Sequence, residues 1–339
     1  MSYDRRMRAL HASKLAVAGI ALSMFACNGS SNDAPSGGSS GADLPDRAAP
    51  PEDSGSSGLS GSSGTSGTSG SSGTSGTTDA GPDASDAGTG RDLTPNKAAF
   101  FGASRCAAAG VKLCEDFESG TLDTTTWKVT GTAPVIDGVQ HARGAKALHV
   151  TVNGNGPSYI KETKTFPATN NTYWGRIFVW FDSLPVVSGA FTYAHWTFAA
   201  ATGTMVPGEI RLSGQLQNGK NLFGVGTDSG SATNGTGDWT TSDKDPMNMP
   251  VAVPTKQWLC IEWLHKGDTN ETRFFWDAVE HPSLYTTSTK SGSTTGKPYI
   301  LPQFSALWVG WQEYQTTTEK FEMWVDEIAV DSQRIGCVL

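Results

Sequence analysis

The segment Glu209-Ile210-Arg211-Leu212-Ser213-Gly214-Gln215 places polar residues at every second position, with Ile210 and Leu212 between them. Residues two apart in a strand share one face. One face would therefore carry an acid, a guanidinium, a hydroxyl and an amide, and the other the apolar residues. Such a face is either ordinary solvated surface or the floor of a polar cleft. His195 lies just upstream, in Tyr193-Ala194-His195-Trp196-Thr197-Phe198. The chemistry these types allow is definite. A planar guanidinium grips a carboxylate through two hydrogen bonds. An amide adds a donor to the same oxygens, and an imidazole exchanges a proton near neutral pH. Glu209 shares the face of Arg211 and can orient it; Asp228 follows as a further polar candidate.

The elements that must position these residues are extended. Segments 175–181, 257–265, 272–278, 306–314 and 320–330 are rich in β-branched and aromatic residues, with Gly, Pro, Asn and Thr turns between them. No segment sustains a helical period. Many short strands without alternating helices predict an all-β, concanavalin A-like jelly-roll sandwich of two sheets over residues 93–339.

What precedes that domain is an address and a tether. A basic start is followed by the apolar run 15–26, too short to span a bilayer comfortably, which ends at Cys27. Residues 22–27 resemble a lipoprotein box, so 1–27 is expected to be a signal peptide with lipidation at Cys27. Asn28, rather than Asp, favours onward transport to an outer membrane. The Ser/Gly/Thr-rich stretch 28–92 cannot bury a core and should act as a disordered linker. The expected location is an outer-membrane lipoprotein at the cell surface, or a secreted form, touching membrane only through its lipid.

Among 339 residues the net charge of −8 leaves no basic footprint for nucleic acid. An acidic ligand would have to be held by local Arg or Lys side chains. Besides Cys27 there are Cys106, Cys114, Cys260 and Cys337, an even number that reads as two disulfides in an exported chain. Of the three possible pairings, Cys106–Cys114 with Cys260–Cys337 is favoured: a local loop, and a tie from a central strand to the C-terminus. Nothing in the sequence calls for oligomerisation, and a monomer is expected.

The chain ends suggest a metal. If first and last strands pair, Glu118 and Asp326 come close. Two carboxylates with backbone carbonyls suit a hard cation such as Ca²⁺, and the turn 142–148 could add a carbonyl from Lys146.

The motifs Leu113-Cys114-Glu115-Asp116-Phe117-Glu118, His195 followed by 209–215, and 323–337 occur in an order that resembles the fungal cellulose-induced secreted proteins, a group similar to glucuronan lyases and more distantly to alginate lyases. The resemblance covers most of 105–339. It implies a structural Ca²⁺ near the chain ends and a cleft holding His195, Arg211, Gln215 and Tyr314, in a lyase that cuts a uronic-acid polysaccharide by β-elimination. On 308–314, Trp308, Gly310, Gln312 and Tyr314 should share a face, with Gly310 leaving room for a sugar and Trp308 offering a ring to stack on. The strand at 209–215 departs from the alginate-lyase pattern, and 308–314 lacks their lysine. The alternative is a non-catalytic carbohydrate-binding lipoprotein, distinguished by whether the four residues converge. A glycoside hydrolase ranks below both, because the paired-carboxylate strand it needs is absent.

Overall fold

A computed structural model describes residues 90–186, 194–204, 208–217, 219–228, 238–241, 252–288, 300–315 and 319–339. Cys27, the signal layout and the tether to residue 89 lie outside these. The described residues form fifteen strands: β1 Leu113–Glu115, β2 Trp127–Gly131, β3 Val135–Asp137, β4 Ala147–Asn153, β5 Gly156–Glu162, β6 Thr172–Phe181, β7 Ala194–Thr204, β8 Gly208–Gln217, β9 Lys220–Asp228, β10 Asp238–Thr241, β11 Trp258–Lys266, β12 Glu271–Trp276, β13 Val279–Glu280, β14 Gln303–Glu313 and β15 Lys320–Asp331.

They build a sandwich of two antiparallel sheets. The seven-stranded sheet runs β10-β9-β8-β7-β14-β5-β2, and the eight-stranded sheet runs β13-β12-β11-β6-β15-β4-β3 with β1 beside β15. Ile177, Val179 and Phe181 of β6, Ile261 and Trp263 of β11, Phe198 of β7, Ile210 and Leu212 of β8 and Trp311 of β14 join one continuous core. The apolar half of each alternating strand thus turns toward the opposite sheet, as the period-2 pattern requires. Among the described residues seven tryptophans are buried, Trp127, Trp196, Trp263 and Trp311 among them.

The first and last strands do pair, with Cys114 opposite Ala329 and Glu115 opposite Ile328. Over the outer face of the eight-stranded sheet lies a second, smaller core. Phe100 and Cys337, from the two ends of the domain, pack there with Phe178, Trp258 and Trp324. Both expected disulfides are present, Cys106–Cys114 and Cys260–Cys337, the latter closing 77 residues of chain.

Candidate functional site on the seven-stranded sheet

Strand β8 behaves as its alternation predicts. Ile210 and Leu212 are buried in the core, while Glu209, Arg211 and Gln215 remain partly exposed on the outer face. Gly214 faces inward: a Cβ there would meet the Trp196 indole at 2.0 Å. The glycine therefore serves packing, letting Trp196 lie flat on Trp311 with ring centroids 5.2 Å apart.

The four residues singled out for catalysis come together. His195 on β7 is directly opposite Gln215 on β8, and opposite residues of an antiparallel pair share a face. Tyr314 follows the end of β14, where its backbone N–H donates to the carbonyl of His195 (3.3 Å). A bulge between Val309 and Gln312 sets the phasing that brings Tyr314 here. Its ring stacks on the imidazole, with centroids 4.5 Å apart and planes 9° from parallel. The Arg211 guanidinium lies 4.7 Å from the centroid of the same ring. Arg211 Nε also donates to Glu209, and Glu209 accepts from the Trp308 indole N–H (3.3 Å). Glu209 thus orients Arg211 and ties it to β14. Asp228 pairs with Glu209 across β9 and β8; its side chain is outside the described residues.

Next in the sheet comes a row of hydroxyls. Ser213 and Thr197 bond to one another (2.9 Å), and Gln312 lies opposite Thr197. Beyond Arg211 the register runs Arg211, Ala200, Trp308, Lys161, Lys128 across β8, β7, β14, β5 and β2. Directly opposite residues share a face, so Lys161 and Lys128 continue the line that Arg211 begins. Sequence reasoning missed both lysines. Their only signal was a lone Lys in each of two short alternating segments, and register alone makes them neighbours.

Two expectations are corrected. Trp308 is buried, with its ring stacked on Tyr159 at 4.4 Å, so it is a wall of the site and not an open platform. The room at Gly310 is not for a sugar. Its φ is +147°, and a Cβ would meet the Ser158 carbonyl at 2.4 Å and the Tyr159 Cα at 2.5 Å. The glycine admits the neighbouring backbone of β5. Gln315, which no sequence motif flagged, caps the cluster: its amide oxygen accepts from the His195 backbone N–H (2.6 Å) and its amide nitrogen meets His195 Nδ1 (2.9 Å).

At the chain ends, Glu118 and Asp326 meet the same turn, but as acceptors of N–H bonds. Asp326 Oδ2 accepts from the backbone of Ala142 (2.8 Å) and Arg143 (2.9 Å), and Oδ1 from Glu327 (2.7 Å). Glu118 Oε1 accepts from Ala145 (2.8 Å) and Lys146 (2.9 Å). The Lys146 ammonium donates to the Glu118 backbone carbonyl (3.2 Å). Burial pushes the Asp326 carboxyl up to about 7, against the pull of those N–H donors. The oxygen cage beside them already holds a cation. Buried Arg143 donates to Glu327 and to the carbonyls of Phe100, Cys337, Val338 and Leu339, and Arg176 shares Glu327 at 3.2 Å. Burial, then the nearby Arg176 charge, lowers Arg143 to about 10, which still leaves it charged at neutral pH. Among the described residues no group of three His, Cys, Asp or Glu side chains gathers for a metal. Three backbone N–H donors on the Asp326 carboxylate and two on Glu118 Oε1 already engage these oxygens, an arrangement that does not fit the Ca²⁺ expected from Glu118, Lys146 and Asp326.

Fold and site together define a β-jelly-roll sandwich with a polar cluster on the outer face of one sheet. Among solved structures the domain is similar to a cellulose-induced protein, Cip1, with 19% identity and a TM-score of 0.50 over 67% of this chain and 100% of that one. Weaker likenesses are to the alginate lyase AlyC3 (10%, TM-score 0.39, 55% of this chain and 74% of that one) and to a glycosyl hydrolase family protein from Mycobacterium fortuitum (12%, 0.39, 65% and 99%). At such identities the likeness concerns the fold, and only the first carries weight. No family model matches the chain, and no curated protein matches its sequence.

Proposed function

We propose that the domain takes an acidic polysaccharide across the outer face of the seven-stranded sheet and cuts it by β-elimination. One observation carries this reading: Arg211, His195 and Tyr314 pack into a single cluster, and Lys161 and Lys128 continue from Arg211 in register. With strands ~4.8 Å apart, four strand steps from Arg211 to Lys128 span roughly 19 Å, room for more than one sugar. A line of cations suits a polymer bearing a carboxylate on each residue. It also explains how a chain of negative net charge can hold an acidic partner.

In this reading Arg211 and Gln215 bind the uronate carboxylate and stabilise the charge that develops on it. A base takes the C5 proton. The C–H electron pair becomes the C4–C5 double bond, and the C4–O bond breaks with its pair going to the leaving oxygen. That oxygen then receives a proton, for which the phenol of Tyr314 is suited. Polyglucuronate and alginate, with release of the ultraviolet-absorbing unsaturated product, test the reading. Wild type should release product. Arg211→Lys, which keeps the charge and loses the fork, and His195→Ala should each lower kcat/KM by about 10²–10⁴-fold. Release untouched by either change would remove the site assignment.

A second reading, a non-catalytic glycan-binding module, is favoured by the ion pair already made between Arg211 and Glu209. A guanidinium so neutralised grips a ligand carboxylate less strongly. Tight binding of polyuronates without product from any of them would select this reading. For both, we place the domain outside the cytoplasm, anchored through Cys27 and the tether; its two disulfides support an oxidising compartment. All of the site comes from one chain, so a monomer suffices.

A further inference from the structure

We propose that Gln315 is a positioning residue that sets the tautomer of His195, holding the neutral imidazole with its proton on Nε2. The backbone N–H of His195 only donates, so the Gln315 atom 2.6 Å from it is the amide oxygen. The orientation of a side-chain amide is often ambiguous; here a backbone donor decides it. The other end of that amide is then NH₂, which also only donates, and it lies 2.9 Å from Nδ1. Nδ1 must offer a lone pair. A neutral imidazole carries one proton, so that proton sits on Nε2.

The device is built into the fold. Tyr314 N–H donates to the His195 carbonyl at the end of the β7–β14 ladder, and the Gln315 side chain then takes the His195 N–H that a continuing strand would have taken. One amide closes the ladder and orients the ring. Doubly protonated imidazole would set an Nδ1–H against the Gln315 NH₂, two donors facing each other. Around the ring stand Tyr314, stacked on it, and beyond that the Arg211 guanidinium with Glu209 beside it; Gln215 is opposite on β8. The Arg211 charge also opposes a second cation here.

This rests on the lyase reading for its consequence, not for its existence. In the Nε2–H tautomer His195 meets a ligand as a hydrogen-bond donor. Removal of the C5 proton then falls to Tyr314, stacked against it, which as phenolate takes that proton and as phenol returns it to the leaving oxygen.

The test is ¹⁵N-labelled full-length protein and long-range ¹H–¹⁵N correlation of the His195 ring above its titration. The expected spectrum has a lone-pair Nδ1 and a protonated Nε2; a protonated Nδ1 in wild type overturns the proposal, whether or not any variant folds. Gln315→Glu keeps an oxygen for the His195 N–H and puts a second acceptor at Nδ1, so the ring proton should appear on Nδ1. An unchanged tautomer in Gln315→Glu also overturns it. On polyuronate, Gln315→Glu should lower kcat with KM little changed. If wild type shows the inferred tautomer but turns over no polyuronate, the tautomer stands and the lyase reading falls.

Discussion

The two sheets each present charged residues on an outer face, and the two faces have opposite fates. On the seven-stranded sheet Arg211 and Glu209 keep 16% and 19% of their side-chain surface and bond to each other. On the eight-stranded sheet Arg143 and Glu327 are fully buried, because both ends of the domain fold over them. Residue types are the same; the cover differs. Where the chain's own carbonyls enclose a guanidinium, every donor is spent internally and the group serves the fold. Where no segment among those described covers it, the group can turn to a ligand.

The largest effect should come from breaking the covered pair. Arg143→Ala leaves Glu327 buried with Arg176 alone and should cost roughly 3–5 kcal/mol. At ~2–4 °C per kcal/mol for a domain of this size, Tm falls by about 10 °C in a calorimetric scan. Next is the cover itself. Loss of Cys260–Cys337, which closes 77 residues, should cost about 4.5 kcal/mol on the chain-entropy account, against about 2.5 kcal/mol for Cys106–Cys114, which closes 8. Equal losses in paired Cys→Ala variants would mean that the C-terminal cover is held by its hydrogen bonds and not by the link.

Glu313 is an intermediate case, covered but with no counter-cation among the described residues. It is buried, its Oε2 lacks a hydrogen-bond partner among the described residues, and desolvation, with the Glu319 charge second, raises it to about 8. The folded state therefore holds the proton more tightly than the unfolded chain. Below about pH 4.5 both states are protonated and nothing is lost; between there and about 8 stability falls as pH rises. Glu313→Gln should be neutral at pH 4 and stabilising by on the order of 2 kcal/mol at pH 8. A gain of the same size at both pH values would remove the titration as its cause.

The smallest effects sharpen the contrast. Arg211→Ala, on the uncovered face, should cost under ~1 kcal/mol, while lowering turnover as above. A Tm loss matching that of Arg143→Ala would erase the distinction between the faces. Chelation should leave Tm unchanged, since backbone N–H groups already engage the Glu118 and Asp326 carboxylates; a clear fall that Asp326→Ala abolishes would restore the Ca²⁺ expected there.

The legible parts share a short range. The alternation in 209–215 told which side chains face out because a strand has period two, and that holds before any partner is known. The same local signal exposed the strands, and hence the sandwich. Cysteine number with export narrowed the disulfides to a few pairings. What sequence could not supply was register. Lys128, Lys161 and Arg211 fall on one line only because β2, β5, β14, β7 and β8 align at one level, and Gln315 reaches His195 across 120 residues. Gly310 reads as room for a sugar, yet only the packed sheet shows the neighbouring backbone that fills it. Glu118 and Asp326 read as cation ligands, and only the fold could show backbone N–H groups bonding to their oxygens. The backbone's own periodicity settles which face a side chain joins. Which distant group it meets there depends on contacts between strands, and these exist only once the sheets have closed.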